Sequence, residues 1–275
     1  MEHVKAKKSL GQNFLRDESI IEGILSIADL DPKDRVLEIG PGTGALTGYL
    51  LKRVGTVMAV ELDYDLVLRL NQTFKDAKNL VLLEGSILNM DLETTLKTAG
   101  FEDGKYKVVA NIPYYITAPI IRLLLSLPMR PERIVLMVQE EVADRLSAPP
   151  GSMSLLSLMA QHSATVTKEL SVPRTAFDPV PNVDSSVILL LPNRVFSEED
   201  DRKLFKTAKA GFIARRKTLA NNLSSSFRIP RKEVESMLAD LGLDSRIRAQ
   251  ELSVTDWIAL SEQVNGYETT EDPVR

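Results

Sequence analysis

The sequence predicts an α/β protein with about seven strands, followed by a small all-helical domain. Short apolar runs alternate with stretches of helical periodicity between residues 36 and 138. This alternation is typical of a parallel sheet with helices on both faces. At 275 residues, 44% of them hydrophobic, the chain is long enough for one large and one small domain. We expect the domains to span 1–195 and 196–275.

The elements can be assigned in order along the chain. Asp17 is a candidate N-cap, because apolar residues recur at helical spacing behind it at 20, 21, 24, 25 and 28. The apolar runs predict strands at 36–39, 56–60, 80–83, 107–110, 134–138, 164–172 and 186–191. From 197 to 265 the pattern indicates short helices with breaks at Pro230 and Gly242, and no strand.

Composition argues against several classes of function. The chain has no Cys, which excludes disulfides and thiolate catalysis and favours a reducing cytoplasm. Its two His, His3 and His162, are too few for a His-based metal site, and we expect no metal. The longest apolar runs, such as 134–138, are too short to span a bilayer, and the basic start does not resemble a signal peptide. We therefore expect a cytoplasmic protein with no membrane partner.

A glycine-rich loop follows the first predicted strand. Gly40, Gly42 and Gly44 allow a tight turn and a close approach of the backbone to a ligand. Glu61 ends the next strand, 21 residues after Gly40, where its carboxylate can accept hydrogen bonds from both hydroxyls of a ribose. The Gly-x-Gly-x-Gly spacing differs from the dinucleotide fingerprint. By themselves, the loop and the acid suit either NAD or S-adenosylmethionine.

The stretch Asn111-Ile112-Pro113-Tyr114 follows the strand at 107–110. At the carboxyl end of a parallel strand, the Asn111 amide oxygen and the Ile112 carbonyl offer two acceptors to one planar amino group. Pro113 stiffens the turn, and Tyr114 offers an aromatic face on which a base can stack.

An adenine amino group is a poor nucleophile because its lone pair is delocalised into the ring. Two acceptors that pull on its hydrogens favour a pyramidal nitrogen whose lone pair points at a sulfonium methyl. Such a reaction needs positioning and electrostatics more than a strong base. The stretch therefore predicts an amine-methylation site. The glycine spacing and the lack of a proton donor near the site disfavour an NAD dehydrogenase.

Charge is distributed unevenly. The net charge is −4, yet residues 202–232 contain ten Lys or Arg and no Asp or Glu. A solvated helix face usually carries interspersed acids, so this stretch indicates a surface that binds a phosphate backbone.

Segments along nearly the whole chain carry a family resemblance. They are KSLGQNFLRD (8–17), VLEIGPGTGALT (36–47), VELD (60–63), VVANIPYYITAPII (108–121), QEEVADRL (139–146), VPRTAFDPVPNVDSSV (172–187), GFIARRKTLANNL (211–223) and RAQELSV (248–254). In this order they resemble the small-subunit ribosomal RNA adenine dimethyltransferase family of the KsgA type. The Asn-Ile-Pro-Tyr element is also similar to the Asn-Pro-Pro-Tyr element of amino-methyltransferases.

The resemblance implies a Rossmann-like class I methyltransferase fold that uses S-adenosylmethionine. Asn13 and Leu15 would close over the cofactor from the basic N-terminal segment 1–16, called the leader below. Gly40, with Gly42 in the same loop, would lie against its methionine end, Glu61 would hold its ribose, and Asn111 would also contact it. Ser86 stands where the family usually has an Asp that accepts from the cofactor adenine. We therefore expect weaker cofactor binding through Ser86.

The resemblance also implies the RNA substrate. Asn111, Pro113 and Tyr114 would frame the target adenine, Phe177 would stack on its other face, and Arg215, Arg216 and Lys217 would meet RNA phosphates. The implied activity is dimethylation of two adjacent adenosines in the 3′-terminal hairpin of 16S ribosomal RNA, within the small subunit or its precursor, by a monomer. Two alternatives stay open: a 23S methyltransferase of the macrolide-resistance type, and a largely non-catalytic ribosome-assembly factor. The 23S group does not usually carry the segment RRKTLANNL (215–223).

Overall fold

The computed structural model describes residues 6–7, 10–101, 105–193 and 197–270. The chain divides into two compact units, one of residues 1–144 and 164–193, the other of residues 145–163 and 194–275. His3 lies outside the described residues. Among the helices of the described ranges, none is both long enough and apolar enough to cross a membrane.

A seven-stranded sheet forms the centre of the first unit. In chain order, the strands of this unit are β1 (Phe14–Leu15), β2 (Arg35–Ile39), β3 (Thr56–Glu61), β4 (Leu80–Glu84), β5 (Lys107–Asn111), β6 (Arg133–Gln139), β7 (Ala164–Val172), β8 (Phe177–Asp178) and β9 (Ser185–Pro192). The sheet order is β4-β3-β2-β5-β6-β9-β7, and β1 pairs with β8 in a separate ribbon. The predicted α/β class and the predicted strands are confirmed.

The sheet is parallel from β4 to β6 and antiparallel beyond. Strand β9 runs antiparallel between β6 and β7. The sequence indicated two late strands but not this arrangement. The short ribbon of β1 and β8 also escaped the sequence analysis, since two residues are too few for a hydrophobic period.

An α-helix follows β1 and each of the parallel strands β2 to β6. These helices are α1 (Glu18–Ala28), α2 (Ala45–Leu50), α3 (Tyr64–Thr73), α4 (Leu92–Thr98), α5 (Thr117–Ser126) and α6 (Glu140–Leu146). Asp17 caps α1 as predicted, since its carboxylate accepts from the backbone N–H groups of Ser19 and Ile20. The apolar face of α1 is buried in a cluster that also contains Leu46, Val109 and Val187.

The second unit is helical in its described residues. Its helices are α7 (Leu155–Ser163), α8 (Glu198–Gly211), α9 (Leu219–Phe227), α10 (Arg231–Asp240) and α11 (Val254–Thr270). Met153 and Leu158 are buried in the same apolar cluster as Trp257. Backbone hydrogen bonds also join Gly151 and Met153 to the Gln250 carbonyl. Residues 145–163 therefore pack with the helical unit, whereas the sequence predicts them within the domain 1–195.

Candidate active site

A cleft opens in the first unit, at the carboxyl ends of β2, β3 and β5. It is lined by residues 10–15 of the leader, the loop after β2, the end of β3, residues 85–87 and residues 111–116. Carboxyl ends of parallel strands are the usual place for a ligand in an open α/β sheet.

The glycine loop adopts backbone angles that favour glycine. Gly40 and Gly42 have φ angles of 68° and 60°. These angles are in the left-handed region that favours glycine. A Cβ atom at Gly42 would lie 3.3 Å from the ring of Phe14. The backbone N–H of Gly42 donates to Glu61 Oε2 at 3.0 Å, so the loop and the acid form one unit.

Glu61 is held by backbone donors on both carboxylate oxygens. Its Oε1 accepts from the N–H of Asp63 at 2.9 Å, and its Oε2 accepts from Gly42. Burial raises the pKa of Glu61, and these backbone hydrogen bonds oppose the rise. Each carboxylate oxygen has a second lone pair. The fixed carboxylate can therefore still accept from a ligand diol at the cleft, as the predicted ribose contact requires.

Glu38 also lines the cleft, and the sequence patterns did not single it out. The residue is 1% exposed, and burial raises its pKa to about 8, helped by the charge of Glu61 and opposed by Thr47. Its Oε2 has no hydrogen-bond partner among the described residues. A signal existed, because a carboxylate inside the buried central strand β2 is unusual. The orphaned oxygen fits a polar ligand group in this cleft.

Asn111 and Tyr114 occupy the same cleft as the glycine loop. Asn111 ends β5, and its Nδ2 donates to the Asn13 carbonyl at 3.4 Å. With the amide nitrogen engaged by the leader, its Oδ1 is the end that can accept from a substrate amino group. Pro113 holds φ at −59° before the turn that begins at Tyr114.

Ser185 fixes the tip of the Tyr114 side chain. The two hydroxyl oxygens are 2.7 Å apart, and Ser185 is fully buried at the start of β9. Burial raises the pKa of Tyr114, so the phenol is neutral near pH 7. The ring is therefore held by its hydroxyl.

The leader forms part of the cleft lining through Asn13 and Leu15. Leu15 pairs with Phe177 in the ribbon of β1 and β8. Phe177 is only 3% exposed, belongs to the apolar core and is not among the residues that line the cleft. The structure therefore does not place Phe177 in the cleft lining. Its stacking role stays a prediction.

Ser86 lines the cleft directly after β4 and Gly85, where the resemblance implies a contact to the cofactor adenine.

Arg215, Arg216 and Lys217 are exposed in the second unit, between α8 and α9. Ile213 beside them is 74% exposed. His162 is buried, and its Nε2 lies 2.8 Å from Asp201 Oδ1. No cluster of potential metal ligands is found among the described residues.

The sheet, the glycine loop, the acid that ends β3 and the Asn-Ile-Pro-Tyr turn define a class I methyltransferase with a Rossmann-like fold. A family model described as ribosomal RNA adenine dimethylase matches residues 3–265. The chain belongs to the ribosomal RNA adenine dimethylase family.

Similar proteins are known by sequence and by structure. "Ribosomal RNA small subunit methyltransferase A" of Thermosynechococcus vestitus is 45% identical over 94% of this chain and 97% of its own length. The protein of the same name from Lactiplantibacillus plantarum is 40% identical over 95% of this chain and 91% of its own length. A dimethyladenosine transferase from Plasmodium falciparum is 26% identical, with a TM-score of 0.76 over 92% of this chain and 98% of that one. The 23S rRNA methyltransferase ErmE has the same identity, with a TM-score of 0.73 over 92% of this chain and all of its own.

Proposed function

We propose that this protein dimethylates the exocyclic amino groups of two adjacent adenosines in the 3′-terminal hairpin of 16S ribosomal RNA, using S-adenosylmethionine. One observation carries the proposal. The Asn111–Tyr114 turn, with its acceptors for an amino group, lines the same cleft as the glycine loop and Glu61. A nucleoside cofactor and a target amine would therefore meet in one place.

The relatives support the small subunit as the target. The two small-subunit methyltransferases share 40–45% identity with this chain over 94–95% of its length. We propose that the partner is 16S ribosomal RNA within the small subunit or its precursor, bound by a monomer in the cytoplasm, where that substrate is found.

The cleft residues have distinct tasks in this proposal. Glu61 accepts hydrogen bonds from the cofactor ribose, and the glycine loop lets the backbone approach the cofactor's methionine end. Asn111 Oδ1 and the Ile112 carbonyl accept from the adenine amino group and direct its lone pair. Tyr114 presents its ring, held by Ser185, to one face of the base.

S-adenosylmethionine supplies an electrophilic methyl group on its sulfonium. Because the methyl is already activated, the protein residues need to orient the amine and exclude water more than they need to remove a proton. Arg215, Arg216 and Lys217 supply three exposed positive charges for phosphate contacts.

The test uses small subunits that lack the modification. They are incubated with the protein and methyl-labelled S-adenosylmethionine, and the modified adenosines are mapped, with large subunits as the matched substrate control. We expect two dimethylated adenosines, adjacent and near the 3′ end of 16S RNA. Label in the large subunit would favour the 23S alternative. Tight subunit binding without label transfer would indicate a non-catalytic assembly factor.

A further inference from the structure

The leader is tied to one buried carboxylate beside the cleft. Asp63 Oδ1 accepts from Lys7 Nζ at 2.6 Å, and Asp63 Oδ2 accepts from Gln12 Nε2 at 2.9 Å. The Lys7 backbone N–H donates to Gln12 Oε1 at 2.7 Å, which closes the arrangement. Lys7 Nζ also reaches Asp65 at 2.7 Å. Two side chains of the leader therefore converge on Asp63.

Asp63 is more buried than the carboxylate of an ordinary surface ion pair. The residue is 4% exposed, so its contacts with the leader are shielded from water on one side. Burial by itself would raise the pKa of Asp63, but hydrogen bonds from Lys7 and Gln12 outweigh that effect, and the pKa lies below its usual range. The carboxylate is thus ionised at neutral pH and is satisfied largely by the leader.

Asp63 is also connected to the cleft from its other side. Its backbone N–H donates to Glu61 Oε1 at 2.9 Å, and its side chain caps α3 through the N–H of Asp65 at 3.1 Å. Gln12 and Glu61 both line the cleft. A single residue therefore contacts the leader with its side chain and the expected ribose acceptor with its backbone.

We propose that Asp63 is a positioning residue that fastens the leader along the cofactor cleft and keeps Glu61 aimed at the ribose. The inference rests on the proposed use of S-adenosylmethionine. Asp63 does not line the cleft, so it acts through Gln12 and Glu61 and touches no reacting atom. Loss of this fastening should weaken cofactor binding and leave methyl transfer at saturating cofactor nearly unchanged.

The chain offers a suitable variant and a matched control. In Asp63→Asn the amide oxygen can still cap α3, because Asn caps helices about as well as Asp. The amide nitrogen that replaces Oδ2, however, is a hydrogen-bond donor and faces another donor, Gln12 Nε2. The substitution also removes the negative charge that pairs with Lys7. Asp91→Asn makes the same change at the N-cap of α4, where Asp91 accepts from the Thr94 N–H and lies outside the cleft lining.

The experiment measures S-adenosylhomocysteine affinity by calorimetry for the wild type, Asp63→Asn, Lys7→Met, the double variant and Asp91→Asn. We expect Asp63→Asn and Lys7→Met each to bind about five- to tenfold more weakly, and the double variant to bind no more weakly than Asp63→Asn. The KM for S-adenosylmethionine should rise equally, with kcat within about twofold of the wild type. Asp91→Asn should bind as the wild type does.

The failures of the two proposals are distinguishable. If the wild type binds the probe and transfers methyl groups but Asp63→Asn and Lys7→Met bind it equally well, the positioning role is wrong and the proposed function stands. Equal weakening in Asp91→Asn would also overturn the inference. A wild type that binds no probe and transfers no label would refute both. Lys7 is partly exposed, so Lys7→Met decides the matter even if Asp63→Asn does not fold.

Discussion

Relative to the wild type, the Glu38→Gln variant should become more stable as the pH rises from about 5 to 8. Burial is the main cause that raises the Glu38 pKa from 4.5 to about 8, and the charge of Glu61 adds to it. Between these two values the native protein keeps a proton that the unfolded chain has lost. The unfolded state then binds fewer protons, so the free energy of unfolding falls as pH rises.

The magnitude follows from the two pKa values. One proton of difference corresponds to about 1.4 kcal/mol per pH unit. Over the roughly 3.5 units between 4.5 and 8, the wild type would lose on the order of 5 kcal/mol through this group. The contribution is fully present below pH 4.5, declines through neutral pH and levels off above pH 8. The amide that Glu38→Gln introduces does not titrate, so the variant lacks this dependence.

The assay is urea unfolding at several pH values between about 5 and 9, for the wild type, Glu38→Gln and Glu84→Gln. Glu84 is an exposed glutamate at the end of β4 and controls for the loss of a carboxylate. The new amide in Glu38→Gln could leave one of its own polar atoms unsatisfied, but that effect is constant with pH. The diagnostic quantity is therefore the slope. A stability difference between Glu38→Gln and wild type that is flat across this range would show that Glu38 is ionised in the folded protein, and would refute the reasoning.

Three further predictions concern the proposed activity. Asn111→Ala should lower methyl transfer at least about 100-fold, because it removes the acceptor that orients the amine, while calorimetric cofactor affinity changes less; near-normal turnover would contradict the amine-orienting role. Ser86→Asp should tighten cofactor binding by about 1 kcal/mol through a charge-assisted hydrogen bond to the adenine, and weaker binding in calorimetry would mean that the pocket is adapted to Ser. Reversing Arg215, Arg216 and Lys217 to Glu should weaken binding to small subunits and flatten its salt dependence, with cofactor affinity unchanged; a wild-type salt slope would place the RNA surface elsewhere.

Much of the first unit was readable from local patterns. The five parallel strands each coincide with an apolar run bounded by turn residues, and α1 begins at the predicted cap Asp17. The loop at Gly40 and Gly42 was equally readable, since positive φ angles leave few other residue choices. The location of the Asn111–Tyr114 turn was also predictable, because residues that follow a parallel strand lie at the carboxyl edge of the sheet.

Other features depend on partners that are distant in sequence. Phe177 is an aromatic residue that the family resemblance predicts to contact the substrate. Its short strand pairs with the strand of Leu15, however, and Phe177 is part of the apolar core. Residues 145–163 have helical periodicity that is compatible with either unit, and packing of Met153 and Leu158 with Trp257 assigns them to the second. Periodicity reports which face of an element is apolar, and does not report which other face will cover it.

The sequence by itself determined the α/β class, the order of the parallel strands along the chain, the glycine loop and the family. These properties are encoded in short spans, where backbone sterics and hydrophobic period act over a few residues. Only the tertiary structure decided that Glu38 is a buried acid with an orphaned oxygen, that Ser185 holds Tyr114, and that Asp63 fastens the leader. The physical reason is that burial and hydrogen bonding depend on which groups the fold brings together. In these pairs the partners stand up to 71 residues apart, and only folding brings them within about 3 Å.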